Sequence, residues 1–222
     1  MDHSEARRLG GLLSRAHIAE YLAYCNGDPV AALRLSCWNA EVSAAFYGPL
    51  QYLELALRSV LDHRMSVLFG RADWWQAPQA NLHHAAQARI TEAYSRLSRS
   101  GIPQTPGEIV AELPFGFWVG LLGAGNSYDQ RLWRTSLHLA FPGYRGRRNI
   151  LHRDLDYLRV LRNKIAHHCP IHHRHLQADH DAIVRMLGYI DSGLADLVNR
   201  HSPLPTVLAR RPGLSSQRCN SG

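Results

Sequence analysis

Residues 151–168 read LHRDLDYLRVLRNKIAHH, and this stretch decides the fold. Leu151, Leu155, Leu158, Leu161 and Ile165 recur at three- and four-residue spacing, the period of a helix with one buried face. Plotted at about 100° per residue, the five form a single apolar stripe. Arg162 falls inside that stripe, between Leu155 and Leu158. A guanidinium there is not an ordinary solvated charge. It must be paired, reach an edge, or face a cleft or a partner chain, because burying it alone is costly.

His167 lies about 140° from Arg162 on the same wheel, so on one straight helix the two side chains do not meet. Two arrangements would join them. Pro170 disfavours helical geometry at Cys169, so the helix can end near His168 and let His167 swing. Alternatively, the same helix of a second copy lies alongside, and a two-fold interface builds a shared cleft. Asn163 and His167 are four apart and share a face.

Outward from this helix the same period persists, and few segments read as strands. Helices are expected over residues 4–24, with Leu9, Leu12, Leu13 and Ile18 inward, and from Asp28-Pro29 to about Leu68, with an interruption at Gly48-Pro49. Trp74 and Trp75 fall in a connecting loop, and another helix covers 81–99. Thr105-Pro106-Gly107-Glu108 combines a capping threonine, a first-turn proline and a glutamate three residues after the cap. Further helices follow over 128–140, 147–168 and 178–199. From Ser202 onward the chain is rich in Pro, Ser, Gly and Arg. The expectation is an all-α protein with a single helical domain over 1–201 and a disordered tail over 202–222.

Composition sets the class. Hydrophobic residues make up 45% of the 222 and charged residues 19%, so a core forms and most of the chain is ordered. The net charge of +7 comes almost wholly from arginine, since Lys164 is the one lysine. Such a surface permits a nucleic-acid partner without requiring one. Cys25, Cys37, Cys169 and Cys219 make no CxxC pair, which suits reduced thiols in a cytosolic protein. The first residues lack a signal peptide's apolar stretch, and the run from Phe115 to Gly125 is too short to span a bilayer. A cytoplasmic protein with no membrane partner is expected.

Arg162 and His167 suit RNA cleavage without a metal. Imidazole can move a proton to or from the 2′-hydroxyl or the leaving 5′-oxygen, and a guanidinium can hold the phosphate as charge builds on its oxygens. The 2′-hydroxyl is the nucleophile, which selects RNA. The same residues also fit a structural arginine and a histidine favoured at a helix C-terminus.

Arg162-Asn163-Lys164-Ile165-Ala166-His167 resembles the Arg-Asn-x-x-x-His motif of HEPN domains, and more closely that of the Abi-like (abortive infection) proteins of bacteria. Trp38-Asn39, Ala44-Ala45-Phe46, Leu57-Arg58, Phe115-Gly116-Phe117-Trp118, Leu132-Trp133-Arg134 and Phe141-Pro142 extend the resemblance over roughly residues 35–175. The chain departs from the pattern after His168, where Cys169-Pro170-Ile171 stands. The resemblance implies a HEPN-like helical bundle with additional N-terminal and connecting helices, often dimeric. It implies a metal-independent endoribonuclease in phage defence or a toxin–antitoxin system, with no cofactor. Its partners would be RNA, a second copy of the chain and a cognate antitoxin. Arg162 and His167 would be catalytic, with Asn163 positioning the motif or the RNA. Glu54 sits at the edge of a stripe of Leu50, Leu53, Leu57 and Leu61, where it can orient Arg162; it equally suits an intrahelical pair with Arg58. His168, Arg159, Arg58 and Arg174 are candidates for RNA contact. The alternatives are a non-catalytic RNA- or protein-binding module, or a regulatory partner of a toxin.

Other clusters carry less. The run from His167 to His175 has metal-ligating side chains, but proline splits it and no second element completes a ligand set, so no metal is expected. Phe117, Trp118 and Trp133 can stack bases, although their helical spacing among leucines favours the core. Gly120, Gly123 and Gly125 are not followed by Lys-Ser/Thr and make no phosphate loop.

Overall fold

A computed structural model describes residues 1–213. Among them the fold is all-helical, with no strand. Ten α-helices occur in order: α1 (His3–Leu12), α2 (Arg15–Tyr24), α3 (Pro29–Phe69), α4 (His84–Arg99), α5 (Pro106–Glu112), α6 (Phe115–Leu121), α7 (Arg148–Ala166), α8 (Leu176–Ile190), α9 (Ser192–His201) and α10 (Leu204–Ala209).

The 41-residue α3 is the axis of the molecule. Asp28 caps it by accepting from the N–H groups of Val30 and Ala31 at 2.9 and 3.2 Å, with Pro29 at the first helical position. Gly70, at φ 67°, ends it in the left-handed conformation that glycine adopts without penalty. The expected interruption at Gly48-Pro49 does not occur. Pro49 removes the donor for the Ala45 carbonyl, a loss of about 3 kcal/mol in an isolated helix. Phe46, Leu50 and Leu53 are buried on both sides of it, and this packing holds the helix together.

Around α3 pack α1, α2, α6, α8, α9 and α10, while α7 packs on α6 and α8. Leu53, Leu57 and Leu61 of α3 and Leu155, Leu158 and Leu161 of α7 are fully buried in one continuous core. Trp74, in a tight turn after α3, is also fully buried and donates its indole N–H to Asp62 at 2.8 Å. The core claims Phe117 and Trp118 as well, and Trp133 packs against it.

Several boundaries differ from the sequence pattern. The helix expected over 4–24 breaks at Leu13-Ser14, where Leu13 is extended and Ser14 is non-helical, and Leu12 and Leu13 face solvent. The segment 128–140 is a π-turn (Asp129–Trp133) followed by a 3-10 turn (Leu137–Ala140). The last long helix is split at Asp191, whose carboxylate caps α9 by accepting from Leu194 N–H at 2.8 Å. The tail is not disordered throughout. Leu204–Ala209 is helical, Leu204 and Val207 are buried, and Trp38 on α3 donates to the Val207 carbonyl at 2.9 Å. An apolar helical turn with a buried docking site outweighs a Pro- and Ser-rich composition. The remainder of that tail, 214–222, lies outside the described residues.

Candidate active site

The sequence orients α7 from both ends. At its start Asp129 accepts from Arg148 Nε at 3.0 Å and from Arg134 Nε at 3.0 Å, and Arg148 also donates to the Leu122 carbonyl. These contacts, Arg148 first, hold the Asp129 carboxyl below its ordinary range. The close approach of the preceding loop to α8 requires a residue without a side chain at 143, because a Cβ on Gly143 would stand 2.7 Å from the Gly188 carbonyl oxygen. With the leucine stripe buried, Arg162 is aimed at the flank of α3.

There Arg162 meets Glu54. The Arg162 Nε stands 3.4 Å from Glu54 Oε2, and Arg58 Nη2 stands 3.5 Å from Glu54 Oε1. Glu54 is 15% exposed and Arg162 39% exposed, so the pair sits at the mouth of a cleft and not in the core. Arg58 also donates to the Leu113 carbonyl at 3.4 Å, while its Nε is buried without a partner. Two guanidinium groups therefore share one carboxylate, and the cluster keeps a net positive charge.

The cleft encloses about 300 Å³ and lies between α3 and α7. Tyr47, Leu50, Gln51, Glu54, Leu55 and Arg58 form one wall; Arg162, Ile165 and Ala166 form the other. Tyr47 and Leu55 are exposed apolar side chains on its rim. Neither was anticipated from the sequence, although spacings of three and four along the chain put Gln51, Glu54, Leu55 and Arg58 on one flank of α3.

The C-terminus of α7 is built tightly. His168 takes a left-handed conformation (φ 57°) and donates its N–H to the Ile165 carbonyl at 3.1 Å, while Cys169 N–H reaches the Lys164 carbonyl at 2.8 Å. This is a Schellman closure with histidine where glycine is usual. It fixes His167 as the helix's capping residue, its N–H donating to the Asn163 carbonyl at 3.0 Å. The His167 ring is exposed and does not line the Arg162 cleft of its own chain. Asn163 is half-buried beside it and is not in the lining either.

Of the four expected RNA contacts, Arg58 lines the cleft and His168 is exposed at the helix end. Arg159 turns away: it pairs with Asp156 at 2.7 Å and borders a different depression, with Arg89, Gly116 and Tyr128. Arg174 stands in a structural pair. It grips the buried Asp179 with two bonds of 2.8 and 3.1 Å and lies over the Tyr157 ring at 4.6 Å. Its side chain is 11% exposed and Asp179 is 1% exposed, so this cation is spent inside the fold.

One positioning residue escaped the sequence reading of chemistry. Asn39 on α3 is buried and accepts at Oδ1 from the N–H groups of Ile171 and His172, at 2.8 and 3.1 Å. It ties the loop after α7 to the central helix. Its signal was a polar residue in an apolar stripe, flanked by Leu35, Val42 and Phe46, the same signal that marks Arg162.

No family model, curated protein or solved structure matches the chain. Among the described residues, no helix is long and apolar enough to cross a membrane.

Proposed function

We propose that the chain is a metal-independent endoribonuclease of the HEPN type that works as a homodimer in phage defence or as a toxin. The observation that carries this reading is the net-positive cleft in which Glu54 holds Arg162 beside Arg58. A phosphate entering it would meet two guanidinium groups whose charge one carboxylate offsets only in part. The cleft's size suits a nucleotide-sized segment of single-stranded RNA.

In the proposed reaction Arg162 binds the scissile phosphate and stabilises the charge that develops on it. The RNA 2′-oxygen attacks phosphorus, losing its proton to a base, and the bond to the 5′-oxygen breaks as that oxygen gains a proton. His167 is the group that moves a proton in one of these steps. The products are a 2′,3′-cyclic phosphate and a 5′-hydroxyl. Glu54 orients Arg162, and Asn163 steadies the end of α7.

A second copy accounts for the position of His167. The exposed Tyr47 and Leu55 edge the cleft with apolar surface, and a two-fold partner seated there would bring its own α7 end toward Arg162. The alternative, a non-catalytic RNA-binding module, is favoured by one fact: within one chain His167 stands outside the cleft. Incubation of the purified chain with single-stranded RNA in EDTA separates the two. The nuclease cleaves, and Arg162→Ala and His167→Ala each abolish cleavage. The module binds in a salt-sensitive way and cuts nothing.

A further inference from the structure

The loop between α7 and α8 carries a second cluster that the nuclease proposal does not use. His172 is 1% exposed, and its ring lies 5.1 Å from that of Tyr21 and 4.8 Å from that of Tyr24. Its backbone is held on both sides: the N–H donates to Asn39, and the carbonyl accepts from Arg211 at 3.1 Å. Yet its Nδ1 is buried with no hydrogen-bond partner. An unpaired buried polar atom is unfavourable, and such atoms call for a ligand or a role. Beside it, His173 Nδ1 stands 3.6 Å from Glu20 Oε1. One donor atom from each of Glu20, His172 and His173 lies within 4.8 Å of the other two.

We propose that Glu20, His172 and His173 bind a divalent cation of the late first transition row, with Zn²⁺ as the type. Two imidazoles and one carboxylate suit such an ion, whereas Mg²⁺ and Ca²⁺ prefer all-oxygen sites. With metal–ligand bonds of about 2.0–2.1 Å, tetrahedral donors stand roughly 3.4 Å apart. The Glu20–His173 separation already approaches this value. The remaining closure falls to Glu20 and His173, whose exposed side chains can change rotamer, while His172 is the fixed ligand. Three protein ligands leave a fourth position for water.

This site differs from the expectation of no metal because the ligand that completes it sits on α2, far from the histidine run in sequence. A bound ion would clamp α2 to the loop that leaves α7 just beyond His167 and His168. Its test reads binding and not cleavage, so it stands or falls apart from the nuclease proposal. The full chain is stripped with chelator, dialysed, and titrated with ZnCl₂ by calorimetry, with Co²⁺ as a spectroscopic probe. One equivalent of Zn²⁺ per chain is expected, with tetrahedral Co²⁺ absorption and a raised thermal midpoint. Glu20→Gln and His173→Ala, both at exposed positions, each weaken binding by more than about tenfold. The pair His83→Ala/His84→Ala, elsewhere on the surface, leaves it unchanged. The proposal is overturned if the parent binds no stoichiometric Zn²⁺, or if the Glu20→Gln/His173→Ala double variant binds as the parent does.

Discussion

Replacing Arg174 by alanine separates a structural cation from a nucleic-acid contact. In the parent its guanidinium makes two bonds, of 2.8 and 3.1 Å, to a carboxylate that is 1% exposed. Removing it strands the Asp179 charge in the interior, beside the Tyr157 ring that the cation also covered. Breaking one side of a buried pair costs about 3–5 kcal/mol. For a chain of this length each kcal/mol lowers the thermal midpoint by about 2–4 °C, so Arg174→Ala is expected to melt roughly 6–20 °C below the parent. The double variant Arg174→Ala/Asp179→Ala recovers part of this loss, because no unpaired charge remains buried. Circular-dichroism melts of the three variants, with RNA binding measured well below each midpoint, decide the matter. A midpoint within 2 °C of the parent combined with weakened RNA binding would return Arg174 to the RNA-contacting surface and refute the packing argument.

Three further outcomes follow from the geometry. Glu54→Gln weakens two ion pairs of a carboxylate that is 15% exposed, each worth up to about 1 kcal/mol, so it costs about 1–2 kcal/mol of stability. It should nevertheless slow RNA cleavage at least about tenfold by freeing Arg162, and a variant that cuts at the parent's rate removes Glu54 from the mechanism. Asn39→Ala leaves the N–H groups of Ile171 and His172 buried and unpaired, a loss of about 2–4 kcal/mol, together with faster amide exchange at those two residues. Slow exchange in the variant would show that the loop is held by something else. Burial holds the imidazoles of His152 and His180 below their ordinary 6.5, despite the opposing carboxylates of Asp156 and Asp181. Below pH 6.5 the unfolded chain binds protons that the folded chain refuses, so stability is flat above that pH and falls beneath it. Melts between pH 8 and 5 check the sign, and His180→Gln should flatten the decline.

Local signals carried over from sequence to structure most faithfully. Asp28 and Thr105 cap the helices they were expected to start, because a cap depends only on the next three residues. The stripe that put Arg162 among leucines also located its neighbour: Glu54, at the edge of the α3 leucines, stands within ion-pair distance. Features set by distant packing were hidden. Helix α3 runs through Pro49 because buried side chains on either side outweigh a lost hydrogen bond. The burial of Arg174 depends on Asp179, and Glu20, which stands within 4.8 Å of donor atoms of His172 and His173, lies on α2, far from them in sequence. The placement of His167 depends on the left-handed His168 closing the helix, a conformation for which the sequence showed only Pro170 two residues later.

Cleavage of single-stranded RNA by the purified chain in EDTA, with product ends identified by mass spectrometry, tests the central claim most directly. The account predicts 2′,3′-cyclic phosphate and 5′-hydroxyl ends from the parent, and no products from Arg162→Ala or His167→Ala folded as the parent is. Uncut RNA with the parent, or undiminished cutting by either variant, would contradict it.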